Sequence, residues 1–163
     1  MLHRGAMAVM CVAMLGIVTA GCDDMPDRVP LLNGADLRPG LSLEPAPIRF
    51  TPLGAFSCTG GGFAFDPSFH LIVSAGVRDV TLDSVTIHMV DGSSLGGPSV
   101  TIPRPELSTR FGSTLITAAT TRDFALRPDF GCVRRAPTAL RGSALLLDQR
   151  GMPQTIVVQG RVQ

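Results

Sequence analysis

Lysine, tryptophan and tyrosine are all missing from this 163-residue chain, and each absence removes a class of site. Without lysine, the glycine-rich stretches cannot act as phosphate loops of the usual kind, which need that ammonium. Tyrosine and tryptophan are the common anchors of protein- and carbohydrate-binding surfaces, so eight phenylalanines are left for that work. An excess of one charge is also lacking. Fourteen basic residues, all arginine, stand against thirteen acidic ones, a net of +1. Such a balance gives no electrostatic pull toward nucleic acid or acidic substrates. Neither H-E-x-x-H nor Cys-x-x-Cys occurs, so the common marks of a zinc protease and a paired-thiol zinc site are missing. Gly92-Ser93-Ser94-Leu95-Gly96 has the letters of G-x-S-x-G, but no helical pattern follows Ser93 and Ser94 as a hydrolase elbow requires.

What is present begins at the amino terminus. Ala6 to Val18 is an uninterrupted apolar run behind His3 and Arg4, laid out like the h-region and positive n-region of a signal peptide. The run is too short to cross a hydrocarbon core as a helix, which takes ~20 residues. It ends at Val18-Thr19-Ala20-Gly21-Cys22. Small residues followed at once by cysteine resemble the lipobox of bacterial lipoproteins, with Thr19 where the commonest version has leucine. The resemblance implies a signal peptide over 1–21, a diacylglycerol on the Cys22 thiol, and Cys22 as the first mature residue, often acylated on its amino group. Two or three acyl chains, at about 0.8 kcal/mol per buried methylene, hold a protein on a bilayer almost irreversibly. A plain secretory signal cut after Ala20 or Gly21 and an uncleaved anchor are the alternatives. Asp23 resembles the inner-membrane retention signal of enterobacterial lipoproteins. Other lineages do not all follow that rule, so inner and outer membrane both stay open.

Cysteine bookkeeping fits export. Of four cysteines, Cys11 lies in the apolar run and Cys22 is the expected lipid acceptor. Cys58 and Cys132 remain, and in an oxidising compartment they are expected to form a disulfide. Two free thiols or half a metal site are the competing readings.

From 22 to 47, Pro26, Pro30, Pro39, Pro45 and Pro47 are scattered among acidic residues, the composition of an extended tether. Leu31, Leu32 and Leu37 leave room for only a short helix between prolines. From 48 to 163 the period becomes two. Phe69, Leu71 and Val73 alternate with polar or small residues, as do Val85, Ile87 and Met89. Val100 with Ile102, Leu115 with Thr117, and Phe124 with Leu126 form shorter copies. Ala144 to Leu147 leads through Asp148-Gln149-Arg150-Gly151 to Ile156, Val157 and Val158. These runs predict an antiparallel all-β domain, a two-sheet sandwich of about seven strands. No segment after residue 21 shows ten residues of helical periodicity.

The pair Cys58 and Cys132, with Asp129-Phe130-Gly131-Cys132, loosely resembles the intersheet bridge and last-cysteine strand of immunoglobulin-like domains. That resemblance implies an intersheet disulfide. The core tryptophan of those domains has no counterpart, and Phe130 replaces their corner tyrosine.

Candidate chemistry is sparse. His70 and His88 would lie ~5 Å apart if their strands paired as a hairpin, close enough to share a metal. Two solvent-facing neighbours is the plainer reading, since no third ligand recurs at a useful spacing. Gly60-Gly61-Gly62 and Asp91 to Gly97 read as turns or bulges. Asp66, Asp79, Asp83 and Asp91 sit near strand ends, where aspartate caps turns. Arg134, Arg135 and Arg141 form a possible basic patch or a solvated charged loop. The sequence therefore predicts a lipid-anchored, extracytoplasmic bacterial envelope protein. Its expected role is a non-catalytic binding module without cofactor, metal or nucleic acid, meeting the membrane through its anchor and an envelope protein or glycan. The alternative is an enzyme or small-ligand carrier built by loops 92–99 and 103–113.

Overall fold

The computed structural model describes residues 38–53, 58, 62–92 and 97–163. Cys22, the segment 1–21 and the tether up to residue 37 lie outside them. In chain order the elements are β1 (Gly40–Glu44), β2 (Phe50–Leu53), β3 (Phe63–Pro67), β4 (Phe69–Ser74) and β5 (Val80–Asp91). Then come β6 (Ser99–Pro103), α1 (Arg104–Phe111), β7 (Leu115–Ile116), β8 (Thr121–Leu126), β9 (Cys132–Val133), β10 (Pro137–Asp148) and β11 (Pro153–Arg161).

The predicted all-β sandwich is what forms. One layer has the order β11-β10-β5-β6, with β7 added beside the start of β5. The other is a ribbon in two parts, β1-β4-β8 and β2-β3-β9. Only Ser68 separates β3 from β4, so residues 63–74 run as a nearly continuous central strand flanked on both sides. Alternation drives each layer. Leu71 and Val73 of β4 face inward with Phe124 and Leu126 of β8, against Ile87 of β5 and Leu140 of β10.

β5 shows how a register irregularity serves the core. Val80 and Leu82 are buried, then the phase flips and Val85, Ile87 and Met89 are buried. The flip coincides with a register shift opposite Leu145 and Leu146 of β10. A bulge at that point returns the next apolar set to the inner face. The β10–β11 hairpin turns where the sequence predicts. Asp148 Oδ1 accepts from the backbone N–H of Arg150 and of Met152, both at 2.8 Å. Gly151 takes the positive φ of 76° that the turn requires.

Three expectations need correcting. β1 lies inside the stretch 22–47 read as tether, with Leu43 buried and each of its residues paired with β4. Its short alternation is masked in the sequence by the prolines on either side. Pro45 and Pro47 lack the N–H needed to extend the ladder. Buried Ile48 then crosses to the other layer, donating to the Arg161 carbonyl and accepting from the Gln163 N–H, each at 2.9 Å.

Loop 103–113 is largely the helix α1. Pro105 sits in its first turn and Glu106 pairs with Arg110 four residues on. The element escapes a periodicity search because only Leu107 and Phe111 reach the core.

The bridge geometry also differs from the immunoglobulin resemblance. Cys58 lies in the β2–β3 connection and Cys132 opens β9, and β3 and β9 are neighbours in one layer. The disulfide therefore closes the end of a ribbon instead of joining strands of two sheets.

Candidate functional site

The structure scatters most of the sequence candidates. His70 and His88 do not meet, because β4 and β5 belong to different layers. His70 stands between Glu44 and Ala125, with its Nδ1 2.8 Å from Asp123 Oδ2. His88 lies opposite Arg141 and Ser99. Among the described residues no group of three or more His, Cys, Asp or Glu is placed to hold a metal. Arg141 is on β10, whereas Arg134 and Arg135 follow β9 in the other layer, so no single patch forms from the three.

Asp66, Asp79 and Asp83, near strand ends, hold local structure together. Asp79 accepts from the Ala118 N–H at 2.7 Å, and Asp83 accepts from Arg104 at 2.8 Å. Asp66 takes both arms of the Arg127 fork. The Arg127 hydrogen bonds, helped by its charge, hold the Asp66 carboxyl below its ordinary range against a smaller opposing effect of burial. A carboxylate lowered in the folded state adds stability above its unfolded pKa, and that contribution fades as pH falls. Arg127→Ala should therefore lower Tm near pH 7, with the gap to the parent closing toward pH 3. Thermal melts across that range check it, and a gap constant with pH counts against the ion pair.

One feature of the structure does qualify as a site. It is the end of the β2-β3-β9 ribbon, pinned by the Cys58–Cys132 bridge. Alternation along β3 puts Phe63 and Phe65 on one face, where their rings meet tilted by 33° with centroids 6.2 Å apart. Phe50 extends the row, 5.8 Å from Phe65. Phe50 and Phe65 are partly covered by the core, whereas Phe63 at the tip is 53% exposed. Leu53 lies opposite Ala64. Its place in the register therefore puts it on the reverse face from Phe63, and it is 47% exposed. Among the described residues, each face of this end thus carries an exposed apolar side chain.

No charged residue occurs from Phe50 to Phe65. Charge returns at the margin, where exposed Arg134 and Arg135 follow Val133, the partner of Phe63. The acids nearest in sequence are engaged: Asp66 by Arg127, and Asp129 by the Gly131 N–H at 2.8 Å. Sequence reading missed this site by treating Gly60 to Gly62 only as a turn. The signal it passed over is the long uncharged stretch containing Phe63 and Phe65 at strand spacing.

A second exposed element is the edge strand β11, where Val157 is 49% exposed.

No family model matches this chain, and no curated protein matches it. Among solved structures it is similar to the X-ray structure of a structural-genomics target, SoR45. The TM-score is 0.52 at 8% identity, over 78% of this chain and 89% of that one. It is also similar to the crystal structure of the putative ApaA protein from Bordetella pertussis. There the TM-score is 0.46 at 10% identity, over 77% and 95%. The first likeness speaks to the fold alone, and the second is too loose to argue from. The class defined is a disulfide-braced antiparallel β-sandwich with an apolar ribbon end.

Proposed function

We propose that this chain is a lipid-anchored bacterial envelope protein whose β-sandwich is a non-catalytic contact module. The lipobox-like Val18 to Cys22 supports the anchor. The ribbon end with Phe63 and Leu53 carries the contact reading. Exposed apolar groups concentrated in one place mark interaction surfaces, whereas scattered single ones do not. The Cys58–Cys132 bridge supports residence outside the cytosol, where disulfides persist.

The test has two arms. Mass spectrometry of the mature amino terminus from native cells should find Cys22 carrying acyl chains, and Cys22→Ala should leave the membrane fraction. A plain chain beginning at or before residue 22 ends the anchor reading. A photoreactive residue in place of Phe63 should form adducts with a lipid or protein of the envelope, while the same probe in place of Arg150 should not. Equal labelling at both positions ends the contact reading.

A further inference from the structure

We infer that the ribbon end is a bilayer-docking wedge, with Phe63 and Leu53 entering the interface and Arg134 and Arg135 meeting anionic headgroups. This rests on reading the ribbon end as a contact surface, and not on acylation of Cys22.

The two-faced exposure favours a bilayer over a protein partner. A flat protein surface covers one face of this three-stranded end and leaves the other wet. Here each face carries an exposed apolar side chain, Phe63 on one and Leu53 on the reverse. A fluid apolar medium takes up both at once. The charge pattern agrees. The stretch from Phe50 to Phe65 is free of charge, and Arg134 and Arg135 stand at the margin of the exposed apolar pair, the arrangement in which basic residues bind phosphates while apolar groups sink below them. Arginine carries its charge on an apolar stem, so Arg134 and Arg135 can stay at headgroup level as the ring beside them descends. Asp66 does not oppose this, because Arg127 offsets its charge, and the charge of Asp129 is outnumbered by Arg134 and Arg135.

The bridge adds stiffness. It ties the β2–β3 connection to β9, so Phe63 and the arginines are presented together. Reach is sufficient as well. Gly40 pairs with Ser74, at the opposite end of the central strand from Phe63. The twelve residues 63–74 span at most ~40 Å. The seventeen residues between Cys22 and Gly40 reach at most ~60 Å when extended. An anchored chain therefore has enough length to let the wedge meet the same bilayer.

The test uses the whole mature-length chain, residues 22–163, carrying Cys22→Ser so that no acyl chain contributes. It is sedimented with vesicles of phosphatidylglycerol and phosphatidylethanolamine, or of phosphatidylcholine alone. Binding to the anionic vesicles is expected, weakening as salt is raised, with little on phosphatidylcholine. Phe63→Ser with Leu53→Ser should weaken it at least tenfold. Arg134→Ala and Arg135→Ala should each weaken it about fivefold, the equivalent of ~1 kcal/mol per arginine at an anionic surface. All four positions are exposed; unchanged thermal melts and an intact disulfide show that each variant is folded. Failure to bind anionic vesicles, or binding indifferent to these variants, overturns the inference. So does a concentration-dependent dimer abolished by Phe63→Ser in a chain that ignores vesicles. In either case adducts at position 63 in cells would still leave the contact reading standing with a protein as the occupant.

Discussion

Reducing the Cys58–Cys132 bridge, or replacing both cysteines by serine, is expected to lower stability by about 4–5 kcal/mol. The cysteines are 74 residues apart in sequence. In the chain-entropy account, a crosslink closing so long a loop removes many conformations from the unfolded chain and few from the folded one. The corresponding fall in Tm is about 15–20 °C for a domain of this size. The denaturant slope m should also rise, because the uncrosslinked unfolded chain exposes more surface. Chemical denaturation of oxidised and reduced protein measures both. A loss below about 1 kcal/mol would mean that the reduced ensemble stays compact. Exposed Cys132 and half-buried Cys58 sit at the ribbon end, so local fraying around Phe63 and Val133 should appear before global unfolding.

Phe124→Ala should cost about 3–5 kcal/mol, the range for removing a fully enclosed phenylalanine. The ring shows no exposure and meets Phe111 edge to face, with centroids 5.3 Å apart. Arg122 lies over it, 5.4 Å from guanidinium carbon to ring centre, and donates to the Phe111 carbonyl at 2.7 Å. Phe124 thus seats α1 on β8 as well as filling the core. A double-mutant cycle with Phe111→Ala should return a coupling of about 0.5–1.5 kcal/mol, the usual worth of such a ring pair beyond its area. A loss under 2 kcal/mol for Phe124→Ala would show that neighbouring side chains collapse into the space. Additivity in the cycle would show that α1 is held elsewhere.

Legibility in the sequence tracked how local each signal was. β4, most of β5 and the β10–β11 hairpin were readable because alternation and the Asp148 to Gly151 turn lie within a few residues. β1 was hidden, since Leu41 and Leu43 offer too short an alternation between Pro39 and Pro45. α1 was hidden because two core contacts do not make a periodic stripe. The His70–His88 idea failed for a different reason. Consecutive strands suggest a hairpin, yet β4 pairs with β1 and β8 while β5 pairs with β10 and β6. The choice depends on which pairing closes the two layers over one core, and neither strand encodes that alone.

The same distinction governs the ribbon end. Phe63 and Phe65 have the same side-chain chemistry and the same spacing rule, and only the fold makes one a partly covered support and the other an exposed tip. By itself the sequence determined the strand period, the Asp148 turn and the cysteines available to pair, because near neighbours dictate backbone shape and side-chain alternation. Tertiary structure alone decided sheet membership, the one-layer position of the bridge and the exposure of Phe63. Those follow from which distant segments can be packed together without leaving apolar surface or backbone groups unmatched.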